Sequence, residues 1–222
     1  SIEWIRGGYT FVAYGEREEG ILKDLLTVQQ AHGLNISWLE AESLLQTVPD
    51  LNPDGLIGGT LSPEDGSASP LLALHAFYKH ARATGAEFRF GEKVHEILVE
   101  DGAVRAMVGI ETPVAPDSHE AGVTEPVAPF LGPMVVDIRP APGSANFYFY
   151  QHHTGQLIFC ITPDPPIVGT DRRETSAFLP MVSRRMVDLM PRLRSIKVRR
   201  TWRGLYPMTP DGAPVVGWAR EA

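Results

Sequence analysis

Residues 147–162, FYFYQHHTGQLIFCIT, limit the possible folds more than any other stretch of the chain. Two runs rich in aromatic and β-branched residues flank Thr154-Gly155, a turn pair, so the segment predicts an antiparallel hairpin. Alternation along the first run places Tyr148 and Tyr150 on one face and Phe147 and Phe149 on the other. One pair belongs to the core. The other sets two hydroxyls side by side, and the pattern alone leaves sheet packing and pocket lining equally open for it. Cys160 alternates within LIFCI and reads as a small core residue, not a nucleophile.

The rest of the chain repeats this style. Tyr9–Tyr14 predicts a strand. Ile21, Leu22, Leu25, Leu26 and Val28 give a helical stripe that Gly33 ends. A short strand is expected at Asn35–Trp38 and a short helix at Glu40–Val48, closed by Pro49. Ser69 is placed to cap a helix that opens at Pro70 and carries Leu71, Leu74, Phe77, Tyr78 and Ala81 on one stripe. Strands follow at Glu87–Phe90, Val94–Glu100 and Val104–Val108, with Asp101-Gly102 as a hairpin turn. Periodicity fails over residues 109–119, around Pro113 and Pro116. A strand at Val135–Arg139, a helix over Thr175–Pro191 and a strand at Val198–Leu205 complete the pattern. Hairpins separated by single helices predict an α+β fold with a largely antiparallel sheet, not a doubly wound parallel one.

Composition narrows the function classes. One cysteine in 222 residues excludes a disulfide scaffold and a Cys-rich zinc module. Twenty basic against 27 acidic residues give a net charge of −7, which argues against general affinity for nucleic acid or anionic membranes. No apolar run approaches the length of a membrane span, and SIEWIRGG lacks the layout of a signal peptide, so a cytoplasmic location is expected. The charge is uneven: Arg172, Arg173, Arg184, Arg185, Arg192, Arg194, Lys197, Arg199, Arg200 and Arg203 crowd one short stretch. A solvated surface explains this. A docking face for an anionic cofactor or a second subunit is the sharper reading.

Chemical motifs are sparse. No GxGxxG opens a helix after a strand, and neither GxxxxGK[ST] nor GxSxG occurs. His152-His153, on an expected strand end, should point to opposite faces and not share a metal. His75 and His80 miss the i,i+4 spacing, so no metal site is expected. His119-Glu120 falls in an expected loop entering a strand, where functional residues concentrate. A metal-dependent hydrolase using His119, Glu120, His152 and His153 is the weakest functional reading.

Four segments carry a resemblance. WRGLYPMTPDGAPVVG near the C-terminus resembles the W-x-G-x-[YR]-x-x-T-P-D-x-x-P-x-[IVL]-G segment of the D-amino-acid-oxidase superfamily of flavoproteins. The resemblance is to the branch of sarcosine oxidase, glycine oxidase, dimethylglycine dehydrogenase and dye-linked proline dehydrogenase subunits. GGTLSPEDGSASP resembles that branch's D-G-x-x-x-P entry to a helix. SHEAGVTEPV resembles its H-x-x-x-V-[ST]-E-P strand, and FLPMVSRRMVDLMPRL followed by Trp202 also fits.

The resemblance implies a mixed, mostly antiparallel sheet whose one face roofs a flavin ring, with helices on the other face. It implies FAD as cofactor and the two-electron oxidation of an amine C–N bond, of the sarcosine, glycine or proline kind. Residues 1–222 would then be the substrate-binding domain, joined at about 108/109 where the family inserts part of its FAD-binding domain. Tyr148, Tyr150 and Gln151 match the strand facing the flavin. Tyr206 stands where glycine-oxidase-like members have a carboxylate-binding arginine, and Arg203 is the substitute nearby. Pro210, Asp211 and Gly212 match the segment running toward the flavin. His119 matches a histidine that tethers FMN in some multi-subunit members. A non-catalytic binding or assembly module that kept the fold is the alternative.

Overall fold

The computed structural model describes residues 2–92, 97–100, 103–107 and 114–213. The chain forms two compact units, one of Trp4–Ser67 with Pro116–Tyr206, the other of Ala68–Ala115 with Ser1–Glu3 and Pro207–Ala222. In chain order the elements are β1 (Trp4–Arg6), β2 (Tyr9–Ala13), α1 (Glu16–Ala31), β3 (Ser37–Glu40), α2 (Ala41–Thr47), β4 (Gly58–Ser62), β5 (Gly66–Ala68) and α3 (Pro70–Ala83). They continue with β6 (Ile97–Glu100), β7 (Ala103–Met107), β8 (Ala115–Pro126), β9 (Met134–Asp137), β10 (Gly143–Gln151), β11 (Gln156–Asp164), α4 (Phe178–Leu189), a 3-10 turn (Pro191–Ser195) and β12 (Val198–Met208).

Eight strands build the main sheet in the order β12-β8-β11-β10-β9-β2-β4-β3. The β10–β11 hairpin lies near its centre, in register from Tyr148 opposite Cys160 to Gln151 opposite Leu157. Its turn closes at Gly155, whose φ of 97° is costly for any residue with a Cβ. β2 runs parallel to β9, while β4 and β10 flank that pair in antiparallel register. The α+β expectation with a mixed, mostly antiparallel sheet is met.

Alternation sorts the two faces. Val12, Val135, Phe147, Phe149, Leu157, Phe159 and Ile161 fill one face and are buried against Leu44 of α2 and Phe178, Val182, Met186 and Leu189 of α4. Burying each such side chain stabilises the fold by roughly 1.5–3 kcal/mol. Gly122 of β8 belongs here, because a Cβ at this position would stand 2.3 Å from the Phe159 ring. At the end of this core the buried Asp137 carboxylate takes the Arg139 guanidinium in a two-pronged bond, with Arg185 of α4 alongside at 3.8 Å. Arg185 also donates to Ser144 Oγ at 2.6 Å and covers the Phe147 ring, which ties α4 to β10. α1 lies beside the opposite face at the β3–β4 end, where Gln29 and Phe11 border one hollow and Lys23 covers the Trp38 ring.

Several expectations are corrected. Residues 87–90 form no strand; Phe88 and Phe90 instead gather around Tyr78 of α3, at 4.6 and 6.1 Å between ring centres. His119 lies inside β8, not in a loop. Pro116 hides the strand from periodicity, yet Ser118 N donates to Ile167 and Gly169 N donates to Pro116, so the ladder forms with residues 167–169. α4 starts at Phe178, three residues later than expected, because Glu120 holds Thr175 N and Thr175 Oγ1 at 2.6 and 2.7 Å. The α1 stripe buries Leu22 but leaves Ile21, Leu25 and Val28 exposed. Ser69 Oγ does cap α3, accepting from Leu72 N at 3.3 Å, and Leu71, Leu74 and Phe77 of that helix are exposed. The expected turn Asp101-Gly102 lies outside the described residues, as do residues 94–96 and Val108. Among the described residues no helix is long and apolar enough to cross a membrane.

Candidate functional site

The face of the main sheet opposite the α2–α4 core carries the candidate site, at the end away from α1. The cross-strand pairings set one row along it: Thr60, Phe11, Val136, Tyr148, Cys160 and Ala121. No charged side chain stands in this row. Cys160 and Ala121 are its smallest members and sit on β11 and β8, between β10 and β12. Their size leaves space above the sheet for the phenol rings of Tyr148 and Tyr206. The two hydroxyls meet at 3.2 Å.

Burial raises the pKa of the Tyr148 hydroxyl far above the ordinary phenol value, and neighbouring Cys160 and the bond to Tyr206 raise it further. It remains a neutral hydroxyl, able both to donate and to accept, at any pH where proteins work. Burial likewise raises the Tyr150 hydroxyl and the Cys160 thiol, so the thiol is not the nucleophilic form. Tyr150 borders a hollow of about 260 Å³ walled by Arg6, Gly66, Gly132 and His153, within the same unit.

Behind Tyr206 stands His119. Its ring is stacked on the Tyr206 ring at 4.2 Å and 25°. His119 Nε2 donates to Asp117 Oδ2 at 3.3 Å, and both residues are buried at 7% and 6% exposure. The imidazole is thus held between a carboxylate and a phenol.

The other expected site residues are placed as follows. Gln151 alternates away from Tyr150, and its amide is engaged by backbone: Oε1 accepts from Phe130 N and Leu131 N, and Nε2 donates to Val127, Ala128 and Gly155. It shapes the 127–131 loop and offers no free polar group. Arg203 alternates to the face opposite Tyr206, donating through Nη1 to the Arg173 carbonyl at 2.9 Å, so it does not stand beside the tyrosine pair. Its Nε is buried without a partner among the described residues. Pro210, Asp211 and Gly212 lie in the other unit, in a turn where Gly212 N donates to Thr209 and Ala213 N to Asp211.

The histidine pair is a correction. β10 ends at Gln151, so strand alternation does not reach residues 152 and 153, and the His152 and His153 rings are 4.0 Å apart instead of on opposite faces. Glu120 is engaged by Thr175 and His119 by Asp117. Among the described residues no three His, Cys, Asp or Glu side chains are grouped to hold a metal ion.

The sequence pattern of the FAD dependent oxidoreductase family, DAO, matches residues 1–221. The chain belongs to this family.

Among DAO relatives, the D-amino acid dehydrogenase of Rhizobium rhizogenes is 26% identical, over 96% of this chain and 59% of its own length. The glycine oxidase of Bacillus licheniformis is 23% identical, over 95% of this chain and 60% of its own. Among solved structures, L-proline dehydrogenase from P. horikoshii superposes with a TM-score of 0.84 at 25% identity, covering 99% of this chain and 65% of that one. Glycine oxidase from Geobacillus kaustophilus shares the fold, with a TM-score of 0.80 at 22% identity. The chain therefore spans less than two thirds of the length of these relatives.

The residues present are compatible with the flavin of this family: the Tyr148 and Tyr206 rings are uncharged aromatic surface suited to a planar ring, and their hydroxyls can hydrogen-bond a small polar molecule beside it. Asp117 and its contact with His119 were missed from the sequence, although an i,i+2 pair on one strand face was the visible signal.

Proposed function

We propose that this chain is the substrate-binding part of an FAD-dependent oxidoreductase that oxidises the C–N bond of a small amine or amino acid. The Tyr148–Tyr206 hydroxyl pair on the sheet face opposite the α2–α4 core carries the reading. Bound FAD would supply the two-electron acceptor. The chain's own residues orient the substrate. The hydroxyls of Tyr148 and Tyr206 hydrogen-bond its amine or carboxylate, and Val136, buried beside Tyr148, is part of the apolar floor that keeps water from the reacting bond. With Arg203 on the opposite face, two phenols take the place of a guanidinium clamp. Such a site favours substrates whose carboxylate is not the main anchor, such as secondary or cyclic amines.

The relatives support the reaction class, since they are named D-amino acid dehydrogenase, glycine oxidase and L-proline dehydrogenase. The test is steady-state oxidation of glycine, sarcosine, D-alanine and L-proline by the FAD-loaded oxidoreductase that contains this chain, with Tyr148→Phe and Tyr206→Phe beside it. Turnover with at least one of these, with a raised KM in both variants, supports the proposal. Turnover unaffected in both variants removes the pocket from this face.

A further inference from the structure

We infer that Asp117 and His119 are positioning residues that set the pose of Tyr206, and through its hydroxyl that of Tyr148. The inference rests on the proposed substrate face. Its physical basis is separate, because each link is a contact within one unit of the structure.

Asp117 and His119 are two residues apart on β8 and so share a face of the strand. The Asp117 carboxylate is fixed in its turn: Oδ1 accepts from Ser118 N at 2.8 Å, and Oδ2 accepts from His119 Nε2. This leaves the imidazole one orientation about its bond to the carboxylate. The ring face then packs on Tyr206. Tyr206 is 40% exposed, and among the described residues its hydroxyl meets only that of Tyr148. The His119 ring packs flat on the Tyr206 ring, and without it the phenol gains rotamer freedom. Tyr148 would then lose its hydroxyl partner although its own strand is untouched. The same contacts put one His119 nitrogen on a carboxylate and one ring face on a phenol, an arrangement that holds the ring in place.

The experiment labels the full chain with 3-fluorotyrosine. There are six tyrosines, and Tyr148→Phe and Tyr206→Phe identify the two resonances that matter. His119→Ala should move both resonances and leave that of Tyr78, on α3, in place. His119→Phe keeps a stacking ring and should restore the Tyr206 resonance most of the way. Should His119→Ala fail to fold, Asp117→Asn decides in its place, moving Tyr206 while the ring remains. Unmoved Tyr148 and Tyr206 resonances in the folded variants overturn the inference. With FAD bound, His119→Ala should raise KM about fivefold with kcat changed less than about twofold, and His119→Phe should reverse most of this. A protein that oxidises no amine at all defeats the functional proposal, while the fluorine spectra still decide the positioning.

Discussion

Tyr148 and Tyr206 start on strands separated by two others, and their hydroxyls meet 3.2 Å apart. Cys160 and Ala121, paired with one another on the intervening strands, make this possible by being small. A bulky residue at either position would lift the phenol rings off the sheet. The arrangement couples two side chains remote in sequence, and the coupling is measurable.

In the FAD-loaded protein, Tyr148→Phe and Tyr206→Phe should each raise the KM of the best amine by about threefold to tenfold. Because each variant already breaks the shared bond, the double variant should cost little more than the worse single one. Steady-state kinetics on all four proteins checks this. Multiplying effects would mean that the two hydroxyls act independently.

Alkaline pH should weaken the fold. The Tyr148 hydroxyl has its pKa raised by burial first, and those of Tyr9, Tyr14 and Tyr150 are raised by burial as well. A folded pKa above the unfolded one leaves this stability intact below about pH 10 and removes it as pH climbs beyond, since the unfolded chain releases the proton first. Melting temperatures from about pH 8 to about pH 11 should fall, and Tyr148→Phe should make the fall shallower. Parallel curves for the two proteins would contradict the assignment.

Asp137 should be among the most sensitive positions in the core. It is 1% exposed and meets two guanidinium groups, of which Arg185 is itself nearly buried. Asp137→Ala strands that charge and should cost about 3–5 kcal/mol. Asp188, mostly exposed and 3.8 Å from Arg139, should cost less than about 1 kcal/mol when changed to alanine. Urea unfolding of both variants gives the comparison.

Two glycines on neighbouring strands should behave oppositely. Gly122→Ala drives a methyl into the Phe159 ring, which is packed on Phe178, and should cost about 1–3 kcal/mol. Gly204 has open space where its Cβ would be, so Gly204→Ala should change stability by less than about 0.5 kcal/mol. Equal losses would place β8 and β12 differently from the packing described.

Much of the fold was legible in the sequence because its signals are local. The Thr154-Gly155 turn, the alternation of Phe147 to Tyr150, and the Ser69-Pro70 start of α3 each depend on neighbours in the chain. What escaped depends on distant partners. Thr175 stays out of α4 because Glu120 takes its donors. β8 begins before its periodicity does because residues 167–169 complete its ladder. Of the candidate site, Tyr148, Tyr150 and Tyr206 were named by pattern and resemblance, and the structure brings the hydroxyls of Tyr148 and Tyr206 together. Gln151 was assigned by its match to the family's flavin-facing strand and Arg203 as a nearby substitute for the missing arginine, and strand alternation turns both away from the tyrosine face. The His119–Tyr206 stacking joins β8 to β12, and although the i,i+2 spacing of Asp117 and His119 is visible in β8, nothing in either segment alone announces the contact between them.

The most direct test of the central claim is an anaerobic titration of the FAD-loaded protein with a panel of small amines, following the visible flavin band. At least one amine should bleach the band by two-electron reduction, and Tyr148→Phe should raise the concentration needed for half the effect. A band that no amine bleaches, or one bleached at the same concentration in the variant, would contradict the proposed site.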